Sequence, residues 1–430
     1  MKLLDWSALT PSERRDALAR PTKRKEINVV NVVRQIFDEV GEEGEAAVAR
    51  WAERLDGAPP RRVALDAATV DAARATLQAE ELEALDFAVE NVRAFHTATR
   101  PVEGVAVETR PGVRCRRVWR PIRSAGLYAP GGTAPLFSSL VMLAAPAQAA
   151  GVAERTTVTP PSREGAVAPI MLAAAAACGL EAITLVGGAQ AIAALAFGAG
   201  LPKADKIFGP GNAYVAEAKR QAAELPNGPS IDLPAGPSEL LVIADGQADP
   251  VLVAADLLSQ AEHDADAQVI LVSTSAVLIA AVVAEVERQV LLLPRERIAR
   301  AALSEARALR VRSLEEAAEV SNLYAPEHLS LQVADPASLV GAIEAAGTVF
   351  MGRWAAETFG DYVSGPSHVL PTDGAARTWS GVSTASFMSS FVVHEVTPEG
   401  VASLAPHAGR LARLEGLEAH ARAADLRGAG

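Results

Sequence analysis

Cysteine and histidine are both scarce in this chain of 430 residues, which holds 2 of the first and 7 of the second. Two cysteines, Cys115 and Cys178, cannot build a disulfide framework or a thiolate zinc site, so a reducing compartment is expected, with both thiols buried and ordinary. Basic residues are outnumbered, 40 Lys and Arg against 52 Asp and Glu, and a net charge of −12 repels a phosphate backbone. Nucleic acid is therefore not an expected partner, and the basic patch from Arg14 to Lys25 reads as a solvated N-terminal arm. Around Asp5, Trp6 and Ser12-Glu13-Arg14-Arg15 there is no apolar core of signal-peptide length, which points to the cytoplasm. Uncharged runs do occur, from Ser124 to Ala153 and from Ala182 to Pro202, but Pro135, Pro146, Gly187-Gly188 and Gln190 interrupt them and Ala rather than Leu dominates. They read as buried strands and helices, with no membrane partner.

What is present is a regular alternation, in a chain long enough for two or three domains. Short β-rich runs at Gly126-Leu127-Tyr128-Ala129, Thr156-Thr157-Val158-Thr159, Ala182-Ile183-Thr184-Leu185-Val186 and Lys206-Ile207-Phe208 are each followed by a segment of helical length. That spacing predicts βα units and a parallel sheet covered on both faces. A Pro/Gly-rich stretch, Leu225 to Pro237, closes the set, and a second set follows with strands at 240–243, 269–272, 329–331 and 348–350. The expected fold class is α/β: two doubly wound, incomplete Rossmann-like parallel-sheet domains, a helical N-terminal segment and a small helical C-terminal arm. The expected divisions are an arm at 1–25, a discontinuous first domain at 26–125 plus 237–380, an inserted second domain at 126–236 and a helical arm at 381–430.

Two Glu-His dipeptides stand out against the scarcity of histidine. Glu262-His263 closes a segment that begins with Asp249-Pro250, a pair suited to the N-cap and first position of a helix. Gln260 and His263 are three apart on that helix and face one way, so an amide oxygen and an imidazole can share a metal ion. Alone, such a pair more often meets solvent. Glu327-His328 follows Pro326, and an imidazole that titrates near neutrality beside a carboxylate suits repeated proton transfer. Gly360-Asp361-Tyr362 to His368 sets another carboxylate and imidazole in a Gly-rich loop. The turns Gly187-Gly188-Ala189-Gln190 and Gly209-Pro210-Gly211-Asn212 each follow a strand and open a helix, where small residues let a dinucleotide approach a helix N-terminus. Neither is a full Gly-x-Gly-x-x-Gly, since Tyr214 takes the third glycine's place, and ligands are expected at the carboxyl ends of parallel strands.

Ile231-Asp232-Leu233-Pro234-Ala235-Gly236-Pro237-Ser238-Glu239, continuing to Ser259-Gln260-Ala261-Glu262-His263, resembles the signature of the histidinol dehydrogenases. Leu127-Tyr128-Ala129-Pro130-Gly131-Gly132, the two glycine turns, Tyr324 to His328 and Gly360-Asp361-Tyr362 match in order, and the resemblance spans almost the whole chain. It implies one zinc per subunit held by Gln260, His263, Asp361 and His420, the last donated by the partner in a homodimer with shared sites. It further implies Ser238 and the partner's Glu415 as substrate contacts together with the zinc ligands, Tyr128, Gln190 and Asn212 for NAD, and Glu327 and His328 for catalysis and substrate contact. The implied reaction takes L-histidinol through a bound aldehyde to L-histidine with two NAD. Such an oxidation needs a base, a hydride acceptor and an activated water, and neither cysteine lies in a motif that would supply a thioester. Rival readings are a relative oxidising another small primary alcohol, a zinc hydrolase working without NAD, and a non-catalytic binding protein. His96, His368, His394 and His407 fall outside the implied set and read as structural or solvated.

Overall fold

The structure is a computed structural model that describes residues 1–20, 27–131, 136–162, 165–234 and 236–429. Lys23-Arg24-Lys25 of the basic patch, Gly132 and Pro135 of the Tyr128 region and Ala235 of the signature lie outside the described residues. In chain order the strands are β1 (Lys2–Asp5), β2 (Arg61–Ala64), β3 (Val107–Arg110), β4 (Val113–Pro121), β5 (Ser124–Tyr128), β6 (Glu154–Thr159), β7 (Ala182–Leu185), β8 (Lys206–Phe208), β9 (Ser230–Ile231), β10 (Glu239–Ala244), β11 (Gln268–Ser273), β12 (Arg307–Arg310), β13 (His328–Gln332), β14 (Thr348–Met351) and β15 (Met388–Val396).

They form two six-stranded sheets and one of three strands. The first has the order β2-β7-β6-β5-β8-β9, parallel except for β2, which pairs antiparallel to β7. The second, β1-β12-β11-β10-β13-β14, is parallel throughout. Its central strands are buried end to end, as in Glu239-Leu240-Leu241-Val242-Ile243-Ala244, because helices cover both faces. The first sheet is covered by Ala-rich helices such as Gly188–Phe197, whose small side chains let helix and sheet approach closely. Strand order reverses between β5 and β8 in the first sheet and between β10 and β13 in the second, the crevices where ligands bind in such folds. Among the described residues no helix is long and apolar enough to cross a membrane.

Several segments lie elsewhere than the sequence suggests. Residues 26–125 were expected beside the second sheet, yet β2 pairs with β7, and the helices Ile27–Glu43 and Glu45–Leu55 pack on Gly188–Phe197 of the first. The expected arm at 1–25 contains β1, which adds to β12 at the edge of the second sheet. The region after Gly381, expected to be helical, first forms β15, paired antiparallel to β4, and only then the helices Pro398–Leu414 and Glu418–Gly428. These strands are edge or two-layer elements with mostly exposed side chains, so no apolar run announces them.

His96 is structural. It is fully buried on the helix Ala79–Ala98, its carbonyl accepts the Thr384 hydroxyl at 2.6 Å, and its Nε2 has no partner. Burial pushes its pKa down to about 4. A group neutral and buried when folded stabilises above its unfolded pKa of about 6.5 and loses that contribution as pH falls toward the folded value. His96→Gln should therefore be destabilised relative to wild type at pH 7.5, and the gap should narrow by on the order of 1–2 kcal/mol at pH 5. Urea midpoints at the two pH values check this; a constant gap would mean that the ring charges as readily in the folded chain as in the unfolded one.

Candidate active site

Parallel connection decides where the Glu-His residues meet. The helix after β10, Pro250–Ala261, starts at the Asp249 N-cap, whose carboxylate accepts the Val251 N–H at 3.0 Å, and runs back so that its end lies by the amino ends of the strands. Gln260 is in its last turn. His263 lies just past the cap, its N–H bonded to the Gln260 carbonyl at 3.2 Å. The helix Leu314–Tyr324 runs back likewise and stops at Ala325, whose φ of 54° turns the chain through Pro326 into Glu327 and β13. The helix Glu357–Tyr362 brings Asp361 to the same place, 3.8 Å from His263 Nε2 and 3.7 Å from His328 Nε2. This site therefore sits at the amino ends of β10 and β13, against the expectation of carboxyl ends, because returning helices deliver its residues.

His328 is buried, and its Nδ1 donates to the Glu239 carbonyl at 3.0 Å. That bond assigns the proton to Nδ1 and leaves a lone pair on Nε2, which has no partner. Burial pushes the ring pKa down to about 4 despite the field of Asp361, so the imidazole is neutral near pH 7. Glu327 is also buried; its Oε2 accepts the Glu239 N–H at 2.8 Å, and burial raises its pKa well above the usual carboxylate range. Burial raises Asp361 as well, but the imidazoles around it, His263 at 3.8 Å together with His328 and His368, outweigh it and hold the carboxyl below its ordinary value.

Two neighbours lay outside the expected set. Glu357 is buried with Oε1 unpartnered and 3.7 Å from His328 Nδ1, and its Oε2 accepts the Ser259 hydroxyl at 3.2 Å. Burial, then the fields of Asp361 and Glu327, raise its pKa well above the ordinary value. The available signal was its position four residues before Asp361, one turn away on the same helix face. His368, read from the sequence as structural or solvated, is half-buried and structural: its Nδ1 donates to the Asp361 carbonyl at 2.7 Å.

Gln260 is fully buried, yet neither its amide oxygen nor its nitrogen has a hydrogen-bond partner. An orphaned amide beside an imidazole and a carboxylate is the donor set a borderline cation takes. Among the described residues no group of three or more His, Cys, Asp or Glu forms a complete metal cluster. His420 and Glu415 are exposed on the arm Pro398–Gly428, whose helices pack on each other and on β15, so within one chain they do not join the others. Ser238, half-buried, precedes Glu239.

Tyr128, Gln190 and Asn212 gather at the other end of a sheet, past the carboxyl ends of β5, β7 and β8. The Tyr128 hydroxyl accepts the Gly188 N–H at 3.3 Å, and burial pushes its pKa up to about 12. Asn212 caps the helix Ala213–Glu224, accepting from Tyr214 and Val215 at 3.0 and 3.2 Å. Fully buried Gln190 donates to Asp56 at 3.0 Å, and the same carboxylate accepts the Gly187 N–H at 2.9 Å. The negative charge favoured at this helix N-terminus is thus supplied by the chain itself, a use of Asp56 that no local motif signalled. Both cysteines lie outside this constellation: Cys115 is on β4, 3.4 Å from His394, and burial raises the Cys178 thiol to about 12.

The histidinol dehydrogenase family model matches residues 18–428. A histidinol dehydrogenase of Xanthomonas oryzae pv. oryzae is 48% identical over 428 residues, 99% of each chain, and one of Shigella dysenteriae serotype 1 is 45% identical over 426 residues, 99% of this chain and 97% of that one. The crystal structure of histidinol dehydrogenase from Elizabethkingia anophelis superposes with a TM-score of 0.95 at 41% identity, covering 99% of this chain and 98% of that one.

The orphaned amide yields a test. A buried amide without partners costs about 1–3 kcal/mol, so Gln260→Leu in metal-free protein should match or exceed wild-type stability by roughly 1 kcal/mol. Zinc affinity measured by calorimetry should fall at least about tenfold. A clear loss of stability with unchanged zinc affinity would show that Gln260 serves the core and not a ligand.

Proposed function

The chain belongs to the histidinol dehydrogenase family, and we propose that it carries out the family's NAD-dependent oxidation of L-histidinol to L-histidine, which ends histidine biosynthesis, at the amino ends of β10 and β13. The observation that carries the placement is the neutral, buried His328 with its Nε2 free, beside a buried carboxyl whose pKa is raised. Nε2 takes the alcohol proton as hydride leaves carbon for NAD. In the second half Glu327 removes a proton from the water that attacks the bound aldehyde and His328 again accepts a proton; NAD, when bound, would supply the hydride acceptor in each half. The balance is one alcohol, one water and two NAD+ giving one carboxylate, two NADH and three protons.

Gln260, His263 and Asp361 would hold zinc with His420 from a second copy, and the metal would supply an anchor for the substrate's imidazole and amine. The exposed position of His420 and Glu415 supports a homodimer with shared sites. So do the apolar side chains on the same arm, Leu411 63%, Leu414 78% and Leu426 71% exposed, and Trp354 at 79%, just before the Glu357–Tyr362 helix. Tyr128, Gln190 and Asn212 would meet NAD. We propose 237–380 and 126–236 as separate units, since their strands fall in different six-stranded sheets, with 27–100 belonging beside the sheet of 126–236, on which it packs, and 381–429 as an arm.

Limiting L-histidinol should yield two NADH per molecule and free histidine, read by absorbance and chromatography; aldehyde released as the main product, or turnover without NAD, would remove the assignment. Sharing of the site has its own measurement. Asp361→Ala and His420→Ala homodimers should each be nearly inactive, while reassociated mixtures should recover roughly a quarter of wild-type activity, because half the dimers are hybrids with one intact site. Hybrids verified by mass that stay inactive would place His420 in its own subunit's site.

A further inference from the structure

Glu239, which closes the first run of the signature, is bound from three directions. Its N–H donates to Glu327 at 2.8 Å, and its carbonyl accepts from His328 Nδ1 at 3.0 Å. The same backbone unit therefore holds both groups proposed to move protons. Its carboxylate is almost fully buried and meets Arg20, whose Nε donates to one oxygen and whose second terminal nitrogen donates to the other at 2.8 Å. The Asp373 N–H adds a third bond to it at 3.1 Å.

Arg20 does more than neutralise Glu239. Its guanidinium lies 3.9 Å from the centre of the Tyr324 ring and donates to the carbonyls of Tyr324 and Ala325 at 3.0 and 3.4 Å. Those carbonyls belong to the turn, with Ala325 at φ 54°, that delivers Pro326, Glu327 and His328. One planar fork thus ties the strand start that hydrogen-bonds the pair to the turn that carries it, and a stacked, bidentate guanidinium is the group suited to do so. Arg20 is itself held by its own backbone, since the carbonyl of Ala19 accepts from Arg307 at 2.6 Å.

We propose that Arg20 is a positioning residue for the Glu327 and His328 pair, acting through the Glu239 carboxylate and the Tyr324-Ala325 turn. This rests on the reading that the pair does the chemistry, but the arrangement can be probed apart from turnover. Arg20→Met keeps an unbranched apolar stem and loses the fork and the charge; Arg20→Lys keeps the charge but not the fork. Displacement of a catalytic group by about 1 Å can cost on the order of a hundredfold, so Arg20→Met should lose about 10- to 100-fold in kcat. The KM for histidinol and the zinc content should be little changed, and Arg20→Lys should recover only part of the rate.

Nitrogen-15 resonances of His328, assigned with His328→Asn, report on the Nδ1–H tautomer whether or not the enzyme turns over, and they should shift in Arg20→Met. Wild-type protein that makes no NADH would sink the functional reading, while a shifted His328 signal would still support the clamp. A cooperatively melting Arg20→Met with wild-type kcat and an unmoved His328 signal overturns the proposal. Failure of both variants to melt cooperatively also overturns it, in favour of a purely structural ion pair.

Discussion

The two sites are tied by a link of seven residues, Asp232 to Ser238, between the carboxyl end of β9 and the amino end of β10. Fully extended, seven residues span no more than about 25 Å, so the carboxyl end of β9 and the amino end of β10 lie within that distance of each other. Both ends of the link are fastened by buried carboxylates. Asp232 accepts the Gly209 N–H at 2.7 Å and pairs with Lys219, and Glu239 meets Arg20. The link leaves the first sheet at the carboxyl end of β9 and enters the second at the amino end of β10, so it joins the carboxyl-end turns of one sheet to the amino-end residues of the other.

The sequence expressed the interior well because interiors are written in long apolar runs. The central strands of both sheets and the Asp249-Pro250 helix start lie where the alternation places them, since burial on both faces leaves little freedom of composition. Edge elements were not legible. β2, Arg-Arg-Val-Ala, is mostly exposed, and β15 begins with Met-Ser-Ser and is exposed along most of its length, so their pairing is decided by partners distant in the chain.

At the site, residues with rare chemistry in ordered motifs were legible, and those acting through tertiary contact were not. Glu357 and Asp56 sit in unremarkable helical contexts and gain importance only when folding removes water from one and sets the other against the Gly187 amide. Burial also explains why dipeptide identity did not determine ionisation. His328 is kept neutral and Glu327 resists ionisation in the same pocket, because desolvation penalises whichever form is charged. Asp361 differs only because imidazoles surround it.

The pair of Lys219 and Asp232 has a further effect through Gly209. Asp232 takes that residue's N–H, and Lys219 donates to its carbonyl at 2.9 Å. Its φ of 126° and the Tyr128 carbonyl oxygen, 2.0 Å from where a Cβ would stand, leave no room for another side chain. Both backbone groups and both dihedrals of this turn are thus committed when the chain folds. A dinucleotide docking beside Asn212, as proposed, would meet a turn that has already lost its conformational entropy, so ordering that turn would subtract little from the binding free energy. On the proposed reading a four-electron oxidation would load this surface twice per product, and the second dinucleotide would find it as rigid as the first.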